Sequence, residues 1–251
     1  MNKIFLSVVI PSYDEMANLQ KGVLDKVEHF LSKEKFSYEV IIVDDGSTDG
    51  SINFAKKFCA NNPNFRLIEN PHLGKAGAVT AGVLHSKGDY VLFSDMDQAT
   101  PIEELDKLLP YFKEGFDIVM GSRSSVRKGS PLIRRFVSRA AIVARKLIVG
   151  LPEISDTQCG FKAFSKEAAN DLFFRIDKLH DGFNKISGSS VNSGFDVELL
   201  FLAKHLDYKI KEVPVDWLYV ETRRVSPIKD SIEGFMDLLR IKVKAIRGEY
   251  N

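Results

Sequence analysis

Three times in its N-terminal half the chain drives a short apolar run straight into an acidic turn, and this repetition limits the fold more than any other feature. Phe5–Ile10 leads into Pro11-Ser12-Tyr13-Asp14-Glu15, Glu39–Val43 into Asp44-Asp45-Gly46-Ser47-Thr48-Asp49, and Tyr90–Ser94 into Asp95-Met96-Asp97. Apolar runs of this length, without polar alternation, read as strands covered on both faces. Between and after them lie helical patterns. Ala17–Leu31 carries Leu19, Val23, Val27 and Phe30 near helical spacing, and Ser51–Cys59, Ala76–Ser86 and Ile102–Phe112 follow. Phe65–Ile68 and Asp117–Gly121 supply two more strands. Such alternation predicts an α/β fold with a parallel, doubly wound sheet.

In an open sheet of this kind ligands lie beyond the carboxyl ends of the strands. The three acidic turns therefore share one edge. Asp95 and Asp97, one residue apart, suit a hard divalent cation, because Mg²⁺ is typically held by one or two carboxylates together with substrate phosphates. Asp44 follows directly on buried Val43 and reads as a ligand contact, whereas Asp49 or Ser47 reads as a helix cap. No Gly-x-Gly-x-x-Gly and no Gly-Lys-Ser/Thr follows a strand, which disfavours a dinucleotide-binding fold and a P-loop.

Composition narrows the partners. The formal net charge is +1, with 44% hydrophobic and 27% charged residues. That balance suits a globular domain and argues against nucleic acid as a partner. Cys59 and Cys159 share no metal-ligand spacing and read as reduced thiols. The apolar run at the N-terminus is too short for a signal peptide, and no stretch reaches the roughly 18 apolar residues of a membrane span.

The same turns carry a resemblance. Ser7–Glu15, Val43–Asp49 and Asp95-Met96-Asp97 resemble the family 2 glycosyltransferases of GT-A fold, with Asp14 where the family usually has Asn. Asn70-Pro71-His72-Leu73-Gly74-Lys75-Ala76-Gly77-Ala78, Asp95–Thr100, Asp156–Lys162, Phe195–Leu200 and Val213–Trp217 are similar to segments of the dolichyl- and polyprenyl-phosphate β-glucosyltransferases. Cys159 and Ala99 tilt the likeness from the mannosyl toward the glucosyl branch. Two departures stand out: Thr222-Arg223-Arg224 replaces the relatives' Gly-Ser-Lys, and residues 178–192 are longer and richer in Gly and Ser.

The resemblance implies a GT-A fold with a mostly parallel central sheet flanked by helices. It implies inverting transfer of a hexose, glucose favoured, from a nucleotide-diphospho-sugar to a polyprenyl or dolichyl phosphate. Mannosyl transfer from GDP-mannose and a soluble polysaccharide acceptor stay open as alternatives. Pro11, Tyr13, Glu15, Asp44, Asp45, Lys75, Asp95, Met96 and Asp97 would form the donor side, with Asp97 and Asp95 holding Mg²⁺ or Mn²⁺. The acceptor phosphate needs positioning cations, for which arginine's planar fork is suited. Arg123, then Arg134 or Arg135, and Arg224 are the candidates; Asp97 and Arg123 are the expected catalytic pair. Asp196 and Glu198 either touch the acceptor or tie their helix to Arg123.

Two basic amphipathic segments complete the reading. Within residues 131–150, Arg134, Arg135, Arg139, Arg145 and Lys146 gather opposite an apolar side. In residues 226–251, Ile228, Ile232, Phe235, Met236, Leu239, Val243 and Ile246 recur at helical spacing beside Arg240, Lys242, Lys244 and Arg247. Such helices lie in the headgroup layer of an anionic membrane. The expectation is a transferase domain over residues 1–225, including the 131–150 interface helix, followed by a C-terminal amphipathic helix. It would sit peripherally on the cytosolic membrane face, helped by a membrane partner or by self-association.

Overall fold

The computed structural model describes residues 3–123, 146, 148–185, 193–218 and 227–250. Among the described residues seven strands form one sheet in the order β3-β2-β1-β4-β6-β5-β7. They are β1 (Leu6–Ser12), β2 (Tyr38–Asp44), β3 (Phe65–Glu69), β4 (Tyr90–Ser94), β5 (Ile118–Arg123), β6 (Phe161–Ser165) and β7 (Ile210–Val215). Among the described residues the helices are α1 (Met16–Leu19), α2 (Val23–Leu31), α3 (Ser51–Asn61), α4 (Gly74–Leu84), α5 (Leu105–Leu108), α6 (Pro110–Lys113), α7 (Lys166–Leu179), α8 (Ser193–His205) and α9 (Pro227–Ile246).

Side chains alternate across the strands and split the core into two layers. Val9, Ile41, Val43, Val91 and Phe93 face α4, α7 and α8. Leu6, Val8, Ile10, Val40, Ile42 and Leu92 face α2, α3 and α5. Burial on both faces is why these runs carry no polar alternation. Strands β1 to β4 are parallel, with β2 and β4 on opposite sides of β1. The chain thus reverses direction across the sheet between β1 and β4, which opens a crevice at their carboxyl ends.

All five expected strands are present, Tyr90–Ser94 with the expected bounds and the others with ends shifted by at most two residues. Two expected helices are broken. The run from Ala17 to Leu31 divides at Gly22, whose φ of 73° is a left-handed conformation that glycine adopts without steric cost. The run from Ile102 to Phe112 becomes a 3₁₀ turn at Ile102–Glu104 followed by α5 and α6, because Pro110 brings no backbone N–H.

The larger departure from a purely parallel sheet is β6, which is antiparallel to both β4 and β5. Its register places Phe161 opposite Ser94. The loop entering β6 therefore lies on the same edge as the turn leaving β4. β7 lies beside β5 and tolerates Pro214 because, among the described residues, no strand pairs with its outer side.

Helix α9 packs on α8 through Leu238 and Ile241, and Tyr250 is buried beyond its end. Glu198 on α8 fastens this arrangement. It accepts from His180 Nε2 at 2.7 Å, Lys244 Nζ at 3.0 Å and the Tyr250 hydroxyl at 2.7 Å. Among the described residues no helix is long and apolar enough to cross a membrane. The expected interface helix of residues 131–150 falls almost wholly outside the described residues.

Burial alone would raise the Glu198 pKa, but His180, Tyr250 and Lys244 pull it down to about 2. A carboxyl depressed below its unfolded value of 4.5 stabilises the fold fully above that pH and loses the effect as pH falls through about 2. Urea unfolding of the wild type and Glu198→Gln should differ by about 3 kcal/mol at pH 6, and the gap should close between pH 4.5 and 2. A gap constant with pH would contradict the assignment.

Candidate active site

The turn after β1 is locked to the turn after β2. The Asp14 N–H donates to Ser47 Oγ at 2.9 Å, and Asp14 Oδ1 accepts the Thr48 N–H at 2.7 Å. The Glu15 N–H donates to Ser51 Oγ at 2.9 Å, and the Glu15 carboxylate accepts from Asn18. Asp49 receives the Ser51 N–H at 3.0 Å and the Met16 N–H at 2.9 Å, so it does serve the start of α3. Asp14 at φ 51° and, in the third turn, Gln98 at φ 48° are left-handed non-glycine residues. Such strain persists only where the surroundings impose it.

Asp44 and Asp45 divide the work in the second turn. Asp44 Oδ1 accepts the N–H groups of Gly46 at 3.1 Å and Ser47 at 2.9 Å. Its Oδ2 is buried and has no partner among the described residues, as is Ser12 Oγ on the neighbouring strand. A buried carboxylate oxygen without a donor is costly, so Asp44 is equipped to accept from a ligand. Asp45 is committed to the protein. It accepts from Asn70 Nδ2 at 3.1 Å, the Leu73 N–H at 2.9 Å, the Gly74 N–H at 2.7 Å and His72 Nδ1 at 2.9 Å. In this way Asp45 caps α4. It also sets His72 flat against Tyr13, with ring centroids 4.2 Å apart and planes 13° from parallel. Pro11 pairs with Val43 at the end of β1, beside Asp44.

The third turn carries the most charge. Lys75, on the first turn of α4, reaches Asp95 Oδ1 at 2.6 Å. Asp97 Oδ1 accepts the Ala99 N–H at 3.0 Å, while Met96 between the two acids points into the core at 3% exposure. Burial raises the Asp97 pKa, and the nearby Asp95 raises it further against the opposing pull of the Ala99 N–H and Lys75. A carboxylate pushed up in this manner is short of positive charge. Two hard oxygen donors one residue apart fit Mg²⁺ or Mn²⁺, the remaining positions being left to phosphates or water. Among the described residues no group of three or more His, Cys, Asp or Glu could cage an ion unaided.

The loop before β6 closes the other side. The Asp95 N–H donates to the Gly160 carbonyl at 3.2 Å. A Cβ at Gly160 would overlap the Asp95 carboxyl, so only glycine leaves that carboxyl in place. Asp156 grips Arg123 through the backbone N–H at 3.0 Å, Nε at 2.7 Å and Nη2 at 2.8 Å, and the guanidinium stands 5.9 Å from the Trp217 ring. Burial by itself would lower the Arg123 pKa, but Asp156 outweighs it, and Arg123 in turn holds the Asp156 carboxyl low. Behind Asp95, Lys162 has no exposure and is bound to Asp196 Oδ1 and the Cys159 carbonyl, each at 2.5 Å.

The three turns thus converge with Lys75 and Arg123 on one sheet edge. Asp196 ties its helix to Lys162 and Glu198 to α9, so neither is the partner of Arg123. Arg134, Arg135 and Arg224 lie outside the described residues. Asp156, Lys162 and His72 stood in recognised segments without an assigned role; their buried or stacked surroundings are what single them out.

A model of glycosyl transferase family 2 matches residues 7–173. The chain belongs to glycosyl transferase family 2. It is 33% identical over 266 residues to a dolichyl-phosphate β-glucosyltransferase of Dictyostelium discoideum, covering 99% of this chain and 77% of that one. A human protein of the same description is 32% identical over 264 residues, covering 98% and 77%. The fold is also similar to that of glucosyl-3-phosphoglycerate synthase of Mycobacterium tuberculosis, with a TM-score of 0.62, 19% identity, and coverage of 96% of this chain and 80% of that one. The same enzyme in complex with Mn²⁺, uridine diphosphate and glucosyl-3-phosphoglycerate gives a TM-score of 0.60 at 17% identity, covering 96% and 79%. This chain is accordingly a glycosyltransferase of GT-A fold.

Gly160→Ala tests the packing under Asp95. The transferase should lose activity by about 10²-fold, the scale of an ångström-level misplacement, while its melting temperature stays near that of the wild type. Unchanged activity would show that the Asp95 position is not critical.

Proposed function

We propose that this family 2 enzyme transfers glucose, with inversion, from a nucleotide-diphospho-sugar to the phosphate of a polyprenyl or dolichyl lipid. The observation that carries the proposal is the meeting on one edge of Asp95 and Asp97 with Lys75 on the donor side and Arg123 across the Gly160 loop. The similarity to dolichyl-phosphate β-glucosyltransferases supports the choice of sugar and acceptor class.

Each residue has a task in this reading. Tyr13, backed by His72, offers a flat surface to the base, and Asp44 Oδ2 accepts from the base or the ribose. Pro11, Glu15 and Met96 shape the nucleoside side, and Asp45 keeps the cradle in form. Lys75, at the N-terminus of an 11-residue helix, offers its charge and the helix dipole to the diphosphate. A Mg²⁺ or Mn²⁺ held by Asp97 and Asp95 would stabilise the charge that develops on the leaving diphosphate.

The acceptor is already an anion and needs orientation rather than deprotonation. Arg123 is suited to this because Asp156 and Trp217 restrain its fork before any ligand arrives, so little side-chain entropy remains to be lost. Arg134 or Arg135 and Arg224 are proposed as further acceptor cations. One phosphate oxygen attacks the anomeric carbon as the bond to the nucleotide diphosphate breaks on the opposite face, giving a β-linked lipid phosphate sugar from an α-linked donor.

The lipid is met at the cytosolic membrane face. Helix α9 leaves Phe235, Met236, Leu239, Val243 and Ile246 exposed, the last at 76%, while Leu238 and Ile241 pack inward. Arg240 and Arg247 flank that stripe with exposed guanidinium groups. An apolar stripe with a basic border suits the headgroup layer of an anionic bilayer. Residues 1–225 are the proposed transferase domain and residues 226–251 its membrane-facing helix, with the basic segment 131–150 assisting.

Two experiments test these statements. Labelled hexose should enter polyprenyl phosphate from UDP-glucose in preference to GDP-mannose, and Asp97→Asn or Arg123→Lys should reduce it by about 10²- to 10³-fold. Equal use of GDP-mannose would overturn the sugar assignment, and full activity in Asp97→Asn would overturn the site. Phe235→Ser/Leu239→Ser/Val243→Ser should release the protein from anionic liposomes in sedimentation without lowering its melting temperature. Undiminished sedimentation would remove α9 from the membrane contact.

A further inference from the structure

The ammonium of Lys75 lies 2.6 Å from Asp95 Oδ1, one of the two oxygen donors that suit a divalent ion. Asp95, Asp97 and Lys75 together carry one net negative charge. A divalent ion entering this group alone would meet a cation already paired with one of its ligands. Lys162 cannot relieve the conflict, because it is wholly buried and tied to Asp196 and the Cys159 carbonyl. Relief requires the Lys75 ammonium to leave Asp95.

Lys75 is free to move. A quarter of its side chain is exposed, it sits on the first turn of α4, and its four-carbon stem is flexible. A diphosphate arriving at the helix N-terminus would offer it an anionic partner of higher charge than one carboxylate.

We propose that Lys75 is a place-holding cation, which neutralises Asp95 in the empty enzyme and passes to the donor diphosphate on binding, so that metal and nucleotide bind cooperatively. This rests on the reading of the edge as a nucleotide-sugar site. By linkage the effect is reciprocal: whatever factor the diphosphate adds to metal affinity, the metal adds to diphosphate affinity. A metal-loaded site is thereby restricted to donor complexes.

Mn²⁺ titrations followed by the electron paramagnetic resonance of the free ion, with and without UDP, test the idea independently of turnover. In the wild type UDP should tighten Mn²⁺ binding by about tenfold or more, the scale of a typical coupling. In Lys75→Met, Mn²⁺ alone should bind about tenfold more tightly than to the wild type, and the gain from UDP should shrink. Lys75→Arg keeps the charge beside Asp95 and should keep the weak Mn²⁺ affinity of the wild type in the absence of UDP. The proposal is overturned if Lys75→Met, with a wild-type melting temperature, binds Mn²⁺ alone no more tightly than the wild type. It is equally overturned if UDP binds to the wild type without changing Mn²⁺ affinity. Failure of the wild type to bind UDP at all, with or without Mn²⁺, would instead sink the nucleotide-sugar reading itself.

Discussion

A lysine with no solvent exposure holds the middle of the sheet together. Lys162 on β6 stands between Phe93 of β4 and Met120 of β5. An ammonium there is tolerable only because Asp196, the Cys159 carbonyl and the face of Phe93, 5.1 Å away, replace water around it. Breaking such a buried pair from one side costs about 3–5 kcal/mol. The interaction fastens three pieces at once: the antiparallel strand, the start of α8 and the Cys159-Gly160 turn. That turn is what supports Asp95.

Outward from Lys162 the charges alternate. Asp196 answers Lys162, and Asp95 answers Lys75, with Asp97 beyond. Asp156 answers Arg123 on the opposite side of the Gly160 loop. Charges of alternating sign in a half-buried cleft stabilise each other, and the Arg123–Asp156 and Lys162–Asp196 pairs are in place before charge develops in a substrate. The same alternation leaves few groups unsatisfied. Among the described residues the buried side-chain oxygens without a partner are Thr80 Oγ1, Gln98 Oε1, Asp44 Oδ2 and Ser12 Oγ, the last two together at the ends of β2 and β1, on the proposed nucleoside side of the cleft.

The parts of the molecule nearest the proposed lipid are attached by a second polar node. Glu198 gathers His180, Lys244 and Tyr250 from three separate places in the chain. It fixes the inward face of α9 and so determines which face remains outside. The apolar residues left exposed are thus set by which of their neighbours α8 covers, and not by hydrophobicity alone. Exposed apolar stripes of this kind mark interaction surfaces on otherwise well-covered folds.

The parallel strands and the acidic turns were legible in the sequence because they depend on local order. An apolar run buried on both faces, followed by acids, has the same meaning wherever it stands, and the topology of a doubly wound sheet then brings those turns to one edge. The sequence by itself determined the family and the first five strands, and it singled out Asp44, Asp95, Asp97, Lys75 and Arg123, which the fold brings to one edge. Tertiary structure decided what those residues are paired with. The antiparallel direction of β6 brings Asp156 to Arg123 and Gly160 under Asp95, and no local pattern encodes the direction of a five-residue strand. Likewise Asp45, which reads as a ligand contact, spends its oxygens on the turn that starts α4. Pairings of that kind join residues far apart in the chain, and only packing brings them within reach.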